Sequence, residues 1–202
     1  PKDPVVEAAA EAGVTPEQLR VAILSGSTGG NSRSRALAEA YRKQLESQGA
    51  AVDWLDMREM GDLPDVITGD HDKINPYLDR FANADAYVVA SPVYNWGPSG
   101  KVNQFLDLAL DSDTMAGKPY SLLSGAGSPR SAFAMGSLAN RLNMELKGVG
   151  IGAGVQVAGK EYNKHTGNIA SRVLSKANKN ADTLLQVAEA LRNKTSSDNS
   201  TL

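Results

Sequence analysis

Cysteine is absent from this chain of 202 residues. Its absence excludes a disulfide framework, a thiolate nucleophile, cysteine-ligated zinc and iron–sulfur clusters. Histidine is scarce as well, since the chain has only His71 and His165, far apart in the sequence. Because neither has a second histidine or a cysteine beside it, we expect no metal site.

Neither sign of charge dominates, because 21 Lys and Arg stand against 23 Asp and Glu, without a long run of either. A nucleic-acid-binding face would need a basic excess, so we expect no nucleic-acid partner. The strongly acidic surface of many small electron carriers is lacking too. Apolar stretches stay short of the roughly 18 residues that a membrane helix needs, and we expect a cytoplasmic protein with no membrane partner.

Short apolar runs alternate with longer segments of helical periodicity in the rest of the sequence. The predicted strands are 21–24, 52–55, 86–90, 120–123 and 149–157, and the predicted helices are 34–48, 74–82, 101–110, 132–146 and 169–191. Because five units cannot close an eight-unit barrel, this pattern predicts a three-layer α/β fold. Its core would be a doubly wound five-stranded parallel sheet of order 2-1-3-4-5. We expect one domain over 20–192, preceded by an N-terminal extension (1–19) and followed by a flexible polar tail (193–202).

Ligands of such sheets bind at the carboxyl ends of the strands, and three unusual segments follow the first, third and fourth predicted strands. Segment 25–34 contains three glycines and five serine or threonine hydroxyls, and a helix follows it. Curled backbone amides and a helix N-terminus suit a phosphate monoester. The segment lacks the lysine of a Walker loop and is not GxGxxG. The alternative is a plain glycine–serine turn with a serine N-cap.

Segment 91–100 carries two prolines and the run Tyr94-Asn95-Trp96, which suit a rigid wall for a flat aromatic ligand. The alternative is a proline-stabilised turn whose aromatic side chains cap the core. Segment 124–130 is built of small residues that would let its backbone approach a ring edge. A phosphate cradle, an aromatic wall and a small-residue loop at one crevice together fit flavin mononucleotide (FMN).

These residues also carry a resemblance. The chain resembles the NADPH-dependent FMN reductase family, whose fold is flavodoxin-like, from about residue 20 to residue 191. Gly26, Ser27 and Ser32 match the family's GSxRxxSxN motif, and Pro92-Val93-Tyr94-Asn95 matches its PxYN motif. The first motif is also similar to the phosphate loop of flavodoxins. It therefore indicates FMN without distinguishing the reductase family from the flavodoxins.

Two positions depart from the family pattern. Gly29 stands where the family usually has arginine, and Ser34 stands where it has asparagine. The phosphate would then rely on amides, hydroxyls and the helix dipole, with Arg33, Arg35 or Arg130 nearby. We therefore expect FMN binding that is weaker or more salt-sensitive than is usual for the family.

The resemblance implies an FMN-dependent NAD(P)H oxidoreductase. Hydride would pass from NADPH or NADH to bound flavin and then to a small acceptor, such as a flavin, quinone, azo compound or metal oxyanion. The flavin carries the chemistry, so no catalytic side chain is expected. The candidate cofactor-binding residues are Ser27, Thr28, Asn31, Ser32, Arg33, Ser34, Pro92, Val93, Tyr94, Asn95, Trp96, Ser124, Gly125, Ala126 and Gly127.

Two other functions stay open at this point. The chain could be a flavodoxin-type electron carrier without its own NAD(P)H activity, or a non-catalytic domain that kept the fold. Related reductases are commonly dimers or tetramers, so the resemblance also implies a homodimer or homotetramer. Trp96 and the helix that begins near Lys101 are the candidate contact surfaces.

Overall fold

The computed structural model describes residues 18–110, 114–129, 131 and 134–199. Most of the predicted N-terminal extension, Arg130, the predicted helix start at residue 132 and the last three residues lie outside this described part. The strands are β1 (Arg20–Ser25), β2 (Ala51–Asp56), β3 (Ala86–Tyr94), β4 (Gly97–Pro98), β5 (Pro119–Ala126), β6 (Val149–Gly150) and β7 (Val155–Ala158). The helices are α1 (Arg33–Ser47), α2 (Asn75–Ala82), α3 (Gly100–Leu108), α4 (Ala134–Met144) and α5 (Ser171–Asn199).

The strands form a sheet of order β2-β1-β3-β5-β6, in which β7 also pairs with β5. The pairs between β1 and β2, β1 and β3, and β3 and β5 are all parallel. This arrangement confirms the predicted doubly wound α/β fold of order 2-1-3-4-5, with β5 as the fourth position and the β6 and β7 pieces as the fifth. The carboxyl ends of β1, β3 and β5 therefore meet at one edge.

Two apolar clusters lie on opposite faces of the sheet. Successive residues of β1 alternate between them: Ala22 and Leu24 belong to one cluster, whereas Val21 and Ile23 belong to the other. This alternation follows from the two-residue period of a strand, and burial on both faces explains why β1 is continuously apolar. The result is a three-layer domain.

The predicted fifth strand, 149–157, is wrong as a single element. It is divided into β6 and β7, and both pieces pair with β5. Between them, Gly152 and Gly154 have φ values of 120° and 73°, which interrupt extended backbone. At Gly154 a Cβ atom would overlap the carbonyl oxygen of Leu122, so this close approach requires glycine.

Two other boundaries differ from the prediction. Strand β3 does not end at Ala90 but continues to Tyr94, because its last residues pair with β5 and β4. Helix α5 continues to Asn199 rather than ending at residue 191, since no glycine or proline interrupts residues 171–199. Of the helices in the described part of the chain, none combines the length and the apolar composition that spanning a bilayer requires.

Candidate functional site

The three predicted segments come together at the carboxyl edge of the sheet. Gly26 follows β1, and its amide donates a 2.8 Å hydrogen bond to the carbonyl oxygen of Ala90 in β3. Pro92 in β3 lies opposite Gly125 in β5. Strand β3 thus lies between the first and third segments, as the predicted order requires.

The first segment is a turn anchored at its base and exposed at its tip. A Cβ atom on Gly26 would overlap Val102 and come within 2.8 Å of the Ala90 oxygen, so this position requires glycine. Ser27 is buried, and its Oγ accepts a 3.3 Å hydrogen bond from the amide of Gly29. Ser27 therefore shapes the turn, whereas residues 28–31, including Thr28 and Asn31, are exposed.

Helix α1 begins directly after this turn. Ser32 is its N-cap, and Ser32 Oγ accepts a 3.3 Å hydrogen bond from the amide of Arg35 and lies 3.0 Å from Ser34 Oγ. The amides of Arg33 and Ser34 precede the first intrahelical bond, so they have no intrahelical acceptor. The helix N-terminus thus places the Ser32 hydroxyl and the positive end of its dipole beside the exposed turn, whereas Ser34 is buried.

The second segment, expected as a rigid loop stiffened by its prolines, is a β-hairpin. Tyr94 of β3 pairs with Gly97 of β4, which leaves Asn95 and Trp96 as a two-residue turn. Their φ values are 47° and 66°, as a type I′ turn requires at both central positions. Tyr94 and Trp96 are 58% and 64% exposed, so the hairpin presents aromatic surface to solvent. Pro92 at its base is buried, and Val93 is half-buried.

Two serines tie the hairpin to the first segment. The amide of Ser99 donates a 2.9 Å hydrogen bond to Ser91 Oγ, and Ser99 Oγ donates one of 3.3 Å to the carbonyl oxygen of Gly26. Ser99 Oγ also accepts a 3.3 Å hydrogen bond from the amide of Val102, as the N-cap of α3. Both serines are buried. Sequence reasoning missed them as positioning residues, although a serine directly before the helix that begins with Gly100 is an N-cap signal.

The third segment lies against the first turn of α1. Ser124, Gly125 and Ala126 are buried, and Gly127 is exposed. A Cβ atom on Gly125 would overlap the amide nitrogen of Ser34 and come within 2.8 Å of Arg33 Cβ. The glycine therefore permits the close approach of β5 to α1, and Gly127 is the candidate in this segment that faces solvent.

A buried ion pair between Arg35 and Asp56 lies near the site. Arg35 and Asp56 are both buried and form an ion pair, and Asp56 also accepts a 2.9 Å hydrogen bond from the amide of Arg58. Burial alone would raise the pKa of Asp56, but the hydrogen bonds from Arg35 and Arg58 lower it from 3.8 to about 2. Asp56 thus engages Arg35, one of the three cations expected near the phosphate.

Arg33, unlike Arg35, pairs with no carboxylate among the described residues. It is half-buried, and its Nε atom is enclosed without a hydrogen-bond partner. Its guanidinium carbon lies 5.7 Å from the ring centroid of Tyr162, a cation–π distance. Arg130, the third expected cation, lies outside the described residues.

The residues present fit a flat ligand with an anionic end. The exposed turn at 28–31 and the free first-turn amides of α1 suit the anion, and the aromatic hairpin at the same edge suits a ring. Arg33 lies on the first turn of α1, directly after the exposed turn, and its enclosed Nε has no hydrogen-bond partner. Within the described residues, no group of three or more His, Asp or Glu side chains is placed to hold a metal ion.

Comparisons with known proteins identify the family and the fold. A family model described as NADPH-dependent FMN reductase matches residues 19–163. Among solved structures, FerB, a flavoenzyme NAD(P)H:(acceptor) oxidoreductase from Paracoccus denitrificans, is 21% identical with a TM-score of 0.68, covering 85% of this chain and 98% of FerB. The apo form of an NADH:FMN oxidoreductase, EMOB, is 20% identical with a TM-score of 0.65, covering 84% of this chain and 90% of EMOB.

A flavodoxin from the domain Archaea is also similar, at 17% identity and a TM-score of 0.59, covering 84% of this chain and 99% of the flavodoxin. At these identities the likeness shows the shared flavodoxin-like fold. No curated protein matches the sequence.

Proposed function

Because the chain belongs to the NADPH-dependent FMN reductase family, we propose that it transfers hydride from NADPH or NADH to bound FMN and then reduces a small acceptor. The acceptor classes are those the family resemblance implies: a free flavin, a quinone, an azo compound or a metal oxyanion. One observation carries this proposal. The N-terminus of α1, the exposed aromatic hairpin, and the end of β5 that packs against α1 at Gly125 all lie at one edge of the sheet.

We assign the phosphate to the first segment. Its oxygens would accept hydrogen bonds from backbone amides of the exposed turn around Thr28 and Asn31 and of the first turn of α1. The hydroxyls of Ser32 and Ser34 are the side-chain donors. Ser27 would act indirectly, because its Oγ holds the turn through the Gly29 amide.

We assign the ring to the other two segments. The backbone of the hairpin and of residues 124–127 would face the polar edge of the ring, with Tyr94, Asn95 and Trp96 as its solvent-side wall. When bound, FMN supplies a ring that accepts hydride and passes on its electrons. The chain's own task is to bind and orient that ring and to leave one face open to two substrates in turn.

A flavodoxin-type electron carrier is the second candidate, favoured by the likeness of the first segment to flavodoxin phosphate loops. Such a carrier would exchange electrons with protein partners and would have no NAD(P)H activity of its own. The net charge of −2 gives it none of the acidic surface that many such carriers use for docking.

Reconstitution with FMN followed by anaerobic titration separates the two candidates. NADPH and NADH are added separately, and bleaching of the flavin absorbance is followed against free FMN under the same conditions. We expect bleaching within seconds by at least one donor, with no second protein present. A bound flavin that neither donor bleaches would contradict the reductase and support the carrier.

We also propose a homodimer or homotetramer in which Trp96 and α3 contact a second copy. Trp96 is exposed, and tryptophan is enriched at protein–protein interfaces. Light scattering that gave the 21.3 kDa of a single chain would contradict this assembly.

A further inference from the structure

The turn at residues 26–32 of the first segment contains no cation of its own. Residues 26–32 are glycine, serine, threonine and asparagine alone, yet the proposed ligand ends in a phosphate that carries nearly two negative charges. Amides and a helix dipole stabilise such a charge in part. A positively charged side chain nearby would stabilise the rest of the phosphate charge, and the inference about which one it is rests on the proposed function.

Arg33 and Arg35 follow this turn on the first turn of α1, and their surroundings differ. Arg35 is buried in its ion pair with Asp56, and it also lies 3.9 Å from Glu39. Arg33 belongs to none of the ion pairs among the described residues, and its Nε has no hydrogen-bond partner. Arg33 is thus the described cation at this helix N-terminus whose charge no carboxylate neutralises.

The position of Arg33 is fixed from two sides. Its backbone and Cβ lie against Gly125 of β5, and its guanidinium lies 5.7 Å from the ring centroid of Tyr162. Tyr162 is buried, and it is held by its bridge to Ile169 and by the turn Gly159–Glu161 that follows β7. An aromatic ring beneath a guanidinium leaves the in-plane N–H groups of the arginine free to donate.

We propose that Arg33 is the phosphate-pairing cation of the FMN site and that Tyr162 is a positioning residue that holds its guanidinium. A guanidinium presents paired N–H donors that match two phosphate oxygens, which a lysine ammonium cannot do with the same geometry. The pairing also makes the affinity depend on salt, since one full charge is neutralised on binding.

The test compares FMN with riboflavin, which has the same ring but no phosphate. Dissociation constants of both ligands are measured by quenching of flavin fluorescence at low and high salt, for the wild-type chain and for Arg33→Gln. We expect Arg33→Gln to weaken FMN binding about 10- to 100-fold at low salt, in line with a charge-assisted hydrogen bond. Riboflavin binding should stay within about 2-fold, and the salt dependence of FMN binding should become shallower.

Two further variants control for fold and for net charge. Arg42→Gln removes the same charge from an exposed position of α1, where Arg42 pairs with Glu46. It should leave the dissociation constants of FMN and riboflavin unchanged. Arg33→Lys restores the charge without the paired geometry and should recover part of the FMN affinity.

Tyr162 is tested by the ratio of the FMN and riboflavin dissociation constants. Tyr162→Phe keeps the ring and should retain the wild-type ratio, whereas Tyr162→Leu should weaken FMN binding alone, about 3- to 10-fold. If Arg33→Gln weakens both flavins equally, or neither, the assignment of Arg33 is overturned. If the wild-type chain binds neither flavin, the proposed function is overturned and this assignment with it.

Discussion

Replacing Gly125 by alanine should displace the N-terminus of α1. The added Cβ would overlap the amide nitrogen of Ser34 and come within 2.8 Å of Arg33 Cβ, whereas ordinary contacts of a Cβ lie at 3.4–4 Å. Neither atom can rotate away, because one is backbone and the other is attached directly to it. Strand β5 and the first turn of α1 must therefore separate by roughly 1 Å.

Two consequences follow from this separation. Overpacking of this kind costs about 1–3 kcal/mol. For a domain of this size each kcal/mol lowers the melting temperature by about 2–4 °C, so Tm should fall by about 2–12 °C. The displaced amides and hydroxyls of α1 would also lie away from the phosphate, and FMN binding should weaken at least about 10-fold, a loss of about 1.4 kcal/mol.

The matched control is Gly127→Ala, two residues further along the same segment. No atom lies within 4 Å of a Cβ built at Gly127, so the melting temperature of this variant should stay at the wild-type value. Thermal melting followed by circular dichroism and FMN fluorescence quenching measure the two effects. If Gly125→Ala melts within about 1 °C of wild type and binds FMN equally well, the close approach of β5 to α1 does not constrain the site.

Three further substitutions test the framework around the site. Asp56→Asn should lower the free energy of unfolding by about 3–5 kcal/mol in urea titrations, because it leaves buried Arg35 without its carboxylate. Since folding lowers the pKa of Asp56 from 3.8 to about 2, its stabilisation is complete above pH of about 4 and is lost as the pH falls towards 2. The variant should therefore lose less stability over that pH range, and parallel acid profiles would contradict this. Ser99→Ala should cost about 1 kcal/mol by removing the N-cap of α3, and an unchanged urea midpoint would show that the cap contributes nothing. Trp96→Gly should lower Tm, because the lost contact with a second copy outweighs the gain of about 0.5–1 kcal/mol that glycine offers at a φ of 66°, and a higher Tm would show that no copy covers the indole.

The fold could be predicted from periodicity because its central strands are buried on both faces and bounded by polar turns. The errors arose where pairing between distant segments overrides local signals. The serine and proline at residues 91 and 92 indicated a strand end, yet pairing with Gly125 continues β3 through them. Conversely, the apolar run at 149–157 hid the break that Gly152 and Gly154 introduce.

The candidate site could be predicted to the level of its segments but not of every side chain. The topology alone brings the ends of β1, β3 and β5 together, so the sequence order locates the edge. Burial depends on contacts far along the chain, however, and Ser27 and Ser34 are buried although the sequence suggested both as phosphate donors. The pairing of Arg35 with Asp56, 21 positions away, leaves no local signal at the arginine.

Hydrogen–deuterium exchange of the apoprotein, with and without FMN, tests whether the three segments form one FMN site. We predict that FMN slows amide exchange in residues 27–34, 92–97 and 124–127, and most of all in the exposed turn at 28–31. The opposite edge of the sheet, around Gly49 and Gln186, serves as the internal reference and should exchange unchanged. FMN that binds without slowing exchange in the first segment, or that protects the opposite edge instead, would contradict the account.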